Sequence, residues 1–120
     1  MTVCITSTGR DLEATVHRSF GRAAYFLFVD PKTLTVDAVE NRPGAHGAGV
    51  QAAQTVVDRG ARAVITGSVG PNAFQGLSAA GVEIYVGAEG TVREALDAYR
   101  SGALERSHAS TGRPHQGGPR

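Results

Sequence analysis

The chain has no tryptophan, one cysteine (Cys4) and few aromatic residues. A lone cysteine excludes an internal disulfide framework and fits a reducing compartment. Without tryptophan, the core must be built from Val, Ala, Ile and Leu. No window approaches the roughly 18 consecutive apolar residues of a membrane span. The N-terminus enters a strand-like run, Val3-Cys4-Ile5-Thr6, with neither the basic start nor the apolar stretch of a secretory signal. A cytoplasmic protein with no membrane partner is the expectation.

Large charge of either sign is also missing. The formal net charge is +1 over 120 residues, and the excess of arginine lies in the last 20 positions. The body is therefore no basic nucleic-acid binder. G-x-x-x-x-G-K-[ST], G-x-G-x-x-G and G-x-S-x-G do not occur. The first strand-like run, VCITS, carries no carboxylate, so a two-metal nuclease centre there is disfavoured.

What is present is one domain's worth of chain, 41% apolar and 19% charged. Val3–Ser7 reads as a strand covered on both faces. Residues 24–29 (AYFLFV) are the strongest strand signal. Asp30-Pro31-Lys32-Thr33 then predicts a tight turn, and residues 34–40 a more polar edge strand. From Gly47 to Arg59, Val50, Ala53, Val56 and Val57 fall on one helical face. Residues 63–66 predict a buried strand. Pro71 then opens a short helix with Phe74 and Leu77 inward, and residues 82–86 form a last strand. Thr91-Val92-Arg93-Glu94 reads as a capping box opening a third helix that Gly102 closes. The order β-β-β-α-β-α-β-α predicts an α/β fold with a mixed sheet and right-handed crossovers. Residues 1–104 are read as the domain and 105–120 as a disordered tail, aperiodic from Ser107 onward.

Three loops gather the candidate chemistry: 8–22, 41–49 and 67–72. In open α/β sheets, ligands sit beyond the carboxyl ends of parallel strands. Helix N-termini there offer unpaired N–H groups to an anion. Gly47, Gly49, Gly67 and Gly70 permit close backbone approach, with Asn72 beside them. Arg22 supplies a forked cation. Arg10, Arg18 and Arg42 read as surface residues, with Asp11 and Glu13 as local partners. His17 and His46 lie on two of these loops and are the candidate metal ligands. Cys4, inside a strand, reads as an inert thiol. His108 and His115 in the tail are less informative.

FGRAAYFLFVD (20–30), HGAGVQAAQTVVDRGARAVITGSVGPNAF (46–74) and AAGVEIYVGAEGTVREALDAY (79–99) together resemble the dinitrogenase iron–molybdenum cofactor biosynthesis family. That family includes carrier proteins of nitrogenase cofactor assembly (NifX) and the C-terminal domain of the cofactor-synthesis radical enzyme (NifB). The resemblance covers roughly residues 2–104. It implies a ribonuclease-H-like mixed five-stranded sheet with helices on both faces. It also implies non-catalytic binding of an iron–sulfur-type cluster, iron–molybdenum-cofactor-like, with cofactor-assembly proteins as partners. Cofactor-binding relatives often place a histidine directly before the FG pair. Here that position is Ser19, and the nearest imidazole is His17. His46 of HGAG matches the family pattern. The other reading of the same residues is a module that binds a small phosphorylated or carboxylated molecule in the glycine-rich mouth.

Overall fold

The structure is a computed structural model that describes residues 1–42 and 48–108. Strands β1 (Val3–Ser7), β2 (Tyr25–Val29) and β3 (Val36–Glu40) come first. Helix α1 (Ala48–Asp58), β4 (Ala63–Ile65), α2 (Pro71–Ala79), β5 (Glu83–Tyr85) and α3 (Val92–Arg100) follow. They make one mixed sheet in the order β3-β2-β1-β4-β5. β2 lies antiparallel to both β1 and β3, and β4 parallel to both β1 and β5.

Side-chain alternation along the central strand divides the interior in two. Cys4 points to the face covered by α1 and α2, where Phe26, Val64, Ala53, Val56 and Leu77 are buried. Val3 and Ile5 point to the opposite face, with Leu27, Ile65, Val92 and Leu96 of α3. All five residues of β1 are buried, which explains why its sequence shows no polar face.

α1 and α2 run side by side in the same direction. A Cβ at Gly49 would stand 3.4 Å from that of Ala73, and one at Gly76 would stand 3.6 Å from that of Ala53. Small residues thus set the spacing, and the buried face of α1 is Ala52, Ala53 and Val56. Val50, expected inside, is 53% exposed. The close approach to α2 turns the alanines inward and rotates Val50 to the surface. In α2 the same contact buries Ala73 and Leu77, leaving Phe74 half-buried.

The β2–β3 turn is longer than the four residues read from the sequence. Asp30 N–H donates to the Thr35 carbonyl at 3.1 Å, and Leu34 sits at φ 63°. β3 therefore begins at Val36 rather than Leu34. The Asp30 carboxylate accepts from the N–H groups of Lys32 and Thr33, which hold its pKa below the usual carboxylate value.

The capping box forms. Glu94 N–H donates to Thr91 Oγ1 at 3.1 Å, and Thr91 N–H donates to Glu94 Oε1 at 2.9 Å. Thr91→Ala is expected to lower stability by about 1 kcal/mol, measured as a shift in the urea midpoint without change in its slope.

Beyond residue 104 the described chain returns to the sheet. Arg106 bridges Tyr85, and Ser107 N–H donates to the Ile84 carbonyl at 2.7 Å. β5 is an edge strand with unsatisfied backbone groups, and the returning chain satisfies them. Among the described residues no helix is long and apolar enough to cross a membrane.

Candidate functional site

The segment between β1 and β2 crosses the end of the sheet. Leu12 and Val16 are buried on the α3 side, whereas Phe20 is buried on the α1/α2 side, stacked on Phe26 with ring centroids 5.5 Å apart. Between these anchors the backbone passes over the carboxyl ends of β1 and β4. His17 N–H donates to the Thr6 carbonyl at 3.0 Å, and Phe20 N–H to the Ser68 carbonyl at 3.0 Å. What emerges on the far side is the turn Ser19–Arg22.

Both α1 and α2 present their N-termini at this same edge. Together with the turn they enclose a groove of about 300 Å³, lined by Ser19, Gly21 and Arg22, by Gly49 and Val50 of α1, and by the start of α2 from Gly70 to Ala73. The first bond within α2 runs from Phe74 N–H to the Gly70 carbonyl at 3.0 Å. The Asn72 and Ala73 N–H groups precede it and have no helical acceptor. Pro71 occupies the position where a missing N–H costs nothing. The two helix dipoles place partial positive charge at the groove. Arg22 is the lining's charged side chain. It is exposed and forms no ion pair among the described residues. Among the described residues the lining contains no carboxylate, thiol or imidazole. An arrangement of this kind attracts an anion through hydrogen bonds and charge.

Ser19, Arg22, Gly49, Gly70 and Asn72, all candidates from the sequence, thus meet in one groove. His46 and Gly47 lie outside the described residues. His17 does not reach the groove's lining. Its Nδ1 accepts the Ser19 N–H at 3.0 Å and stands 3.1 Å from the Ser19 carbonyl. Through Nδ1 the ring braces the turn's own backbone. Gly67 is also absent from the lining. A Cβ there would meet the Arg18 carbonyl oxygen at 2.5 Å, so its close neighbour is the protein's own backbone. At Gly70 a Cβ would meet nothing within 4 Å.

The other arginines are placed elsewhere. Arg10 lies over the Tyr25 ring, 4.9 Å from its centroid, and Arg42 is 3.8 Å from Glu40. Glu13, expected to serve the nearby arginines, instead pairs with Arg93 of α3 at 2.7 Å. Among the described residues no three His, Cys, Asp or Glu side chains are grouped to hold a metal ion.

Sequence reading missed Asn41. Its Nδ2 donates to the carbonyls of Gly21 and Ala23, at 3.2 and 2.8 Å, and so fixes the turn from the side. These partners are about 20 residues away in sequence, and no local pattern announces them.

Cys4 is fully buried and free, and desolvation pushes its thiol pKa far up. A buried thiol of this kind is a poor nucleophile and a poor ligand. It is expected to resist alkylation in native buffer and to react fully in denaturant, as followed by mass spectrometry.

These features define the class of protein: a mixed α/β sheet carrying a cationic groove where two helices begin. The chain belongs to the dinitrogenase iron-molybdenum cofactor family, whose model matches residues 1–102. The apo form of the orange protein from Desulfovibrio gigas superposes with a TM-score of 0.88 at 38% identity, covering 92% of this chain and 95% of that one. An NMR structure of a Thermotoga protein, provisionally described as NifB, gives 0.81 at 42% identity over 92% and 96%. An uncharacterized protein of Methanocaldococcus jannaschii is 27% identical over 92 residues, 72% of this chain and 78% of its own length.

Proposed function

We propose that this chain is a non-catalytic carrier for an anionic metal–sulfur cluster of the iron–molybdenum-cofactor type, held in the groove between the Ser19–Arg22 turn and the two helix N-termini. The observation that carries the reading is the convergence of two helix N-termini and the Arg22 guanidinium on one groove with no carboxylate among its described lining residues. Such a cluster bears net negative charge. Arg22 would donate to its sulfides, and the Asn72 and Ala73 N–H groups and the Ser19 hydroxyl would add further donors. His46, at the family's HGAG motif, is proposed as the direct metal ligand. The cluster is cargo, and the residues of this chain hold and release it. Membership in the family and the likeness to the orange protein support this reading. We also read the fold as ribonuclease-H-like, with no carboxylate on β1 for nuclease chemistry.

The test is anaerobic incubation with iron, sulfide and tetrathiomolybdate, followed by desalting and metal analysis. Retained metal is expected for the wild-type protein, with a strong loss in His46→Ala and little change in Cys4→Ala. Absence of retained metal, together with saturable phosphate binding, would favour the small-anion module instead.

A further inference from the structure

Two glycines of the run Gly67-Ser68-Val69-Gly70 have different surroundings. At Gly70 there is open space, whereas a Cβ on Gly67 would stand 2.5 Å from the Arg18 oxygen, 2.7 Å from its Cα and 2.9 Å from its carbonyl carbon. Backbone atoms at such distances cannot yield as the end of a flexible side chain can. The end of β4 and the residues 17–19 are therefore in direct backbone contact, and only glycine leaves room for it.

The contact is reinforced on both sides. His17 N–H donates to the Thr6 carbonyl at 3.0 Å, and Thr6 Oγ1 donates to the His17 carbonyl at 2.9 Å. Ser68 Oγ donates to the Arg18 carbonyl at 3.0 Å, and Phe20 N–H donates to the Ser68 carbonyl at 3.0 Å. Thr6 and Thr66 are fully buried, with hydroxyl oxygens 2.8 Å apart. Each hydroxyl has one proton, so Thr66 donates to Thr6 when Thr6 donates to His17. Thr6 thus holds one carbonyl of the crossing segment, and the Thr66 hydroxyl hydrogen-bonds Thr6 behind it.

We propose that Gly67 is a positioning residue for the anion groove: by admitting the Arg18 carbonyl to the end of β4, it sets where Ser19 and Arg22 stand. This inference rests on the reading of the groove as an anion site. Gly67 touches no ligand and acts through the turn. An alanine there pushes the segment off the sheet edge, carrying Arg22 out of register with the N–H groups of α2.

A double-mutant cycle with tetrathiomolybdate as the probe separates this role from a general loss of stability. Titrations are run well below the melting temperature, with circular dichroism confirming the fold. Gly67→Ala is expected to weaken binding about tenfold, the loss of a charge-assisted contact. Because Gly67 acts by placing Arg22, the variant combining Gly67→Ala with Arg22→Gln should bind within about twofold of Arg22→Gln alone. Gly76→Ala, whose Cβ makes an ordinary contact with Ala53 outside the groove, should bind as wild type. Should Gly67→Ala not fold, Thr6→Val combined with Ser68→Ala removes two tethers without adding a heavy atom in the contact, and the same cycle applies. Full additivity, or wild-type affinity in a folded Gly67→Ala protein, would overturn the proposal. If the wild-type protein itself does not bind the probe, the anion-site reading falls first, and the positioning role falls with it.

Discussion

Arg22→Glu should weaken binding of an anionic cluster by about 10- to 100-fold. The lost contact is a charge-assisted hydrogen bond of about 1.5–3 kcal/mol, and each 1.4 kcal/mol is a factor of ten. Reversal adds repulsion at a groove whose other described lining side chains are neutral. Arg22 is exposed, so added salt shortens the reach of its field to roughly 8 Å at physiological ionic strength and less above it. Part of the effect should therefore shrink as salt is raised. Folding stability should change by less than about 0.5 kcal/mol, as for a surface residue with no ion pair among the described residues. Titration with tetrathiomolybdate at two ionic strengths, beside a thermal melt of each protein, checks all three expectations. Equal affinity of wild type and Arg22→Glu at low salt would remove the groove's charge from the account.

Phe20→Ala is expected to have the largest effect on stability. Phe20 is 1% exposed, lies in the α1/α2-side core and stacks on Phe26. Deleting a buried phenyl ring typically costs about 3–5 kcal/mol, because transfer and cavity terms add. For a domain of this length that corresponds to a fall in melting temperature on the order of 10–20 °C. Phe20→Leu keeps most of the volume and should cost less than about 1.5 kcal/mol. The same ring anchors the turn between Ser19 and Gly21, so on the proposed reading Phe20→Ala should also weaken anion binding at temperatures where it remains folded. A small cost in both properties would mean that the core closes over the gap and that the turn is held by its backbone bonds alone.

The element order and the glycine-rich loops were legible because they follow from local patterns. A run such as YFLFV is strand-forming wherever it occurs, and Pro71 and the Thr91–Glu94 box mark helix starts by their own backbone chemistry. Five of the candidate site residues, Ser19, Arg22, Gly49, Gly70 and Asn72, come together in the groove because all lie at loop-to-helix junctions or on the turn beyond a strand end. Other positions share a different property. Val50 looked like core by helical periodicity, but which side of α1 is inward depends on where α2 packs against Gly49 and Ala53. His17 stood out as an imidazole on a loop, and only the fold shows its Nδ1 accepting the Ser19 N–H. The extra turn residues at Leu34 and Thr35 are held by backbone bonds to Asp30, not by any strong turn signature of their own.

By itself, then, the sequence determined what each segment is: its period, its caps, its lack of carboxylates on β1, and the absence of large net charge. Tertiary structure alone decided which of these segments meet. Gly67 and Gly70 stand three residues apart in one loop, and only the fold distinguishes them, by carrying the Arg18 carbonyl to one and leaving open space at the other. Asn41 acquires its place at the site through carbonyls roughly 20 residues away. The physical reason is the range of the forces involved. Propensity, capping and turn chemistry act over a few residues of chain, whereas contact, hydrogen-bond satisfaction and cavity shape depend on distances in space that the folded chain alone defines.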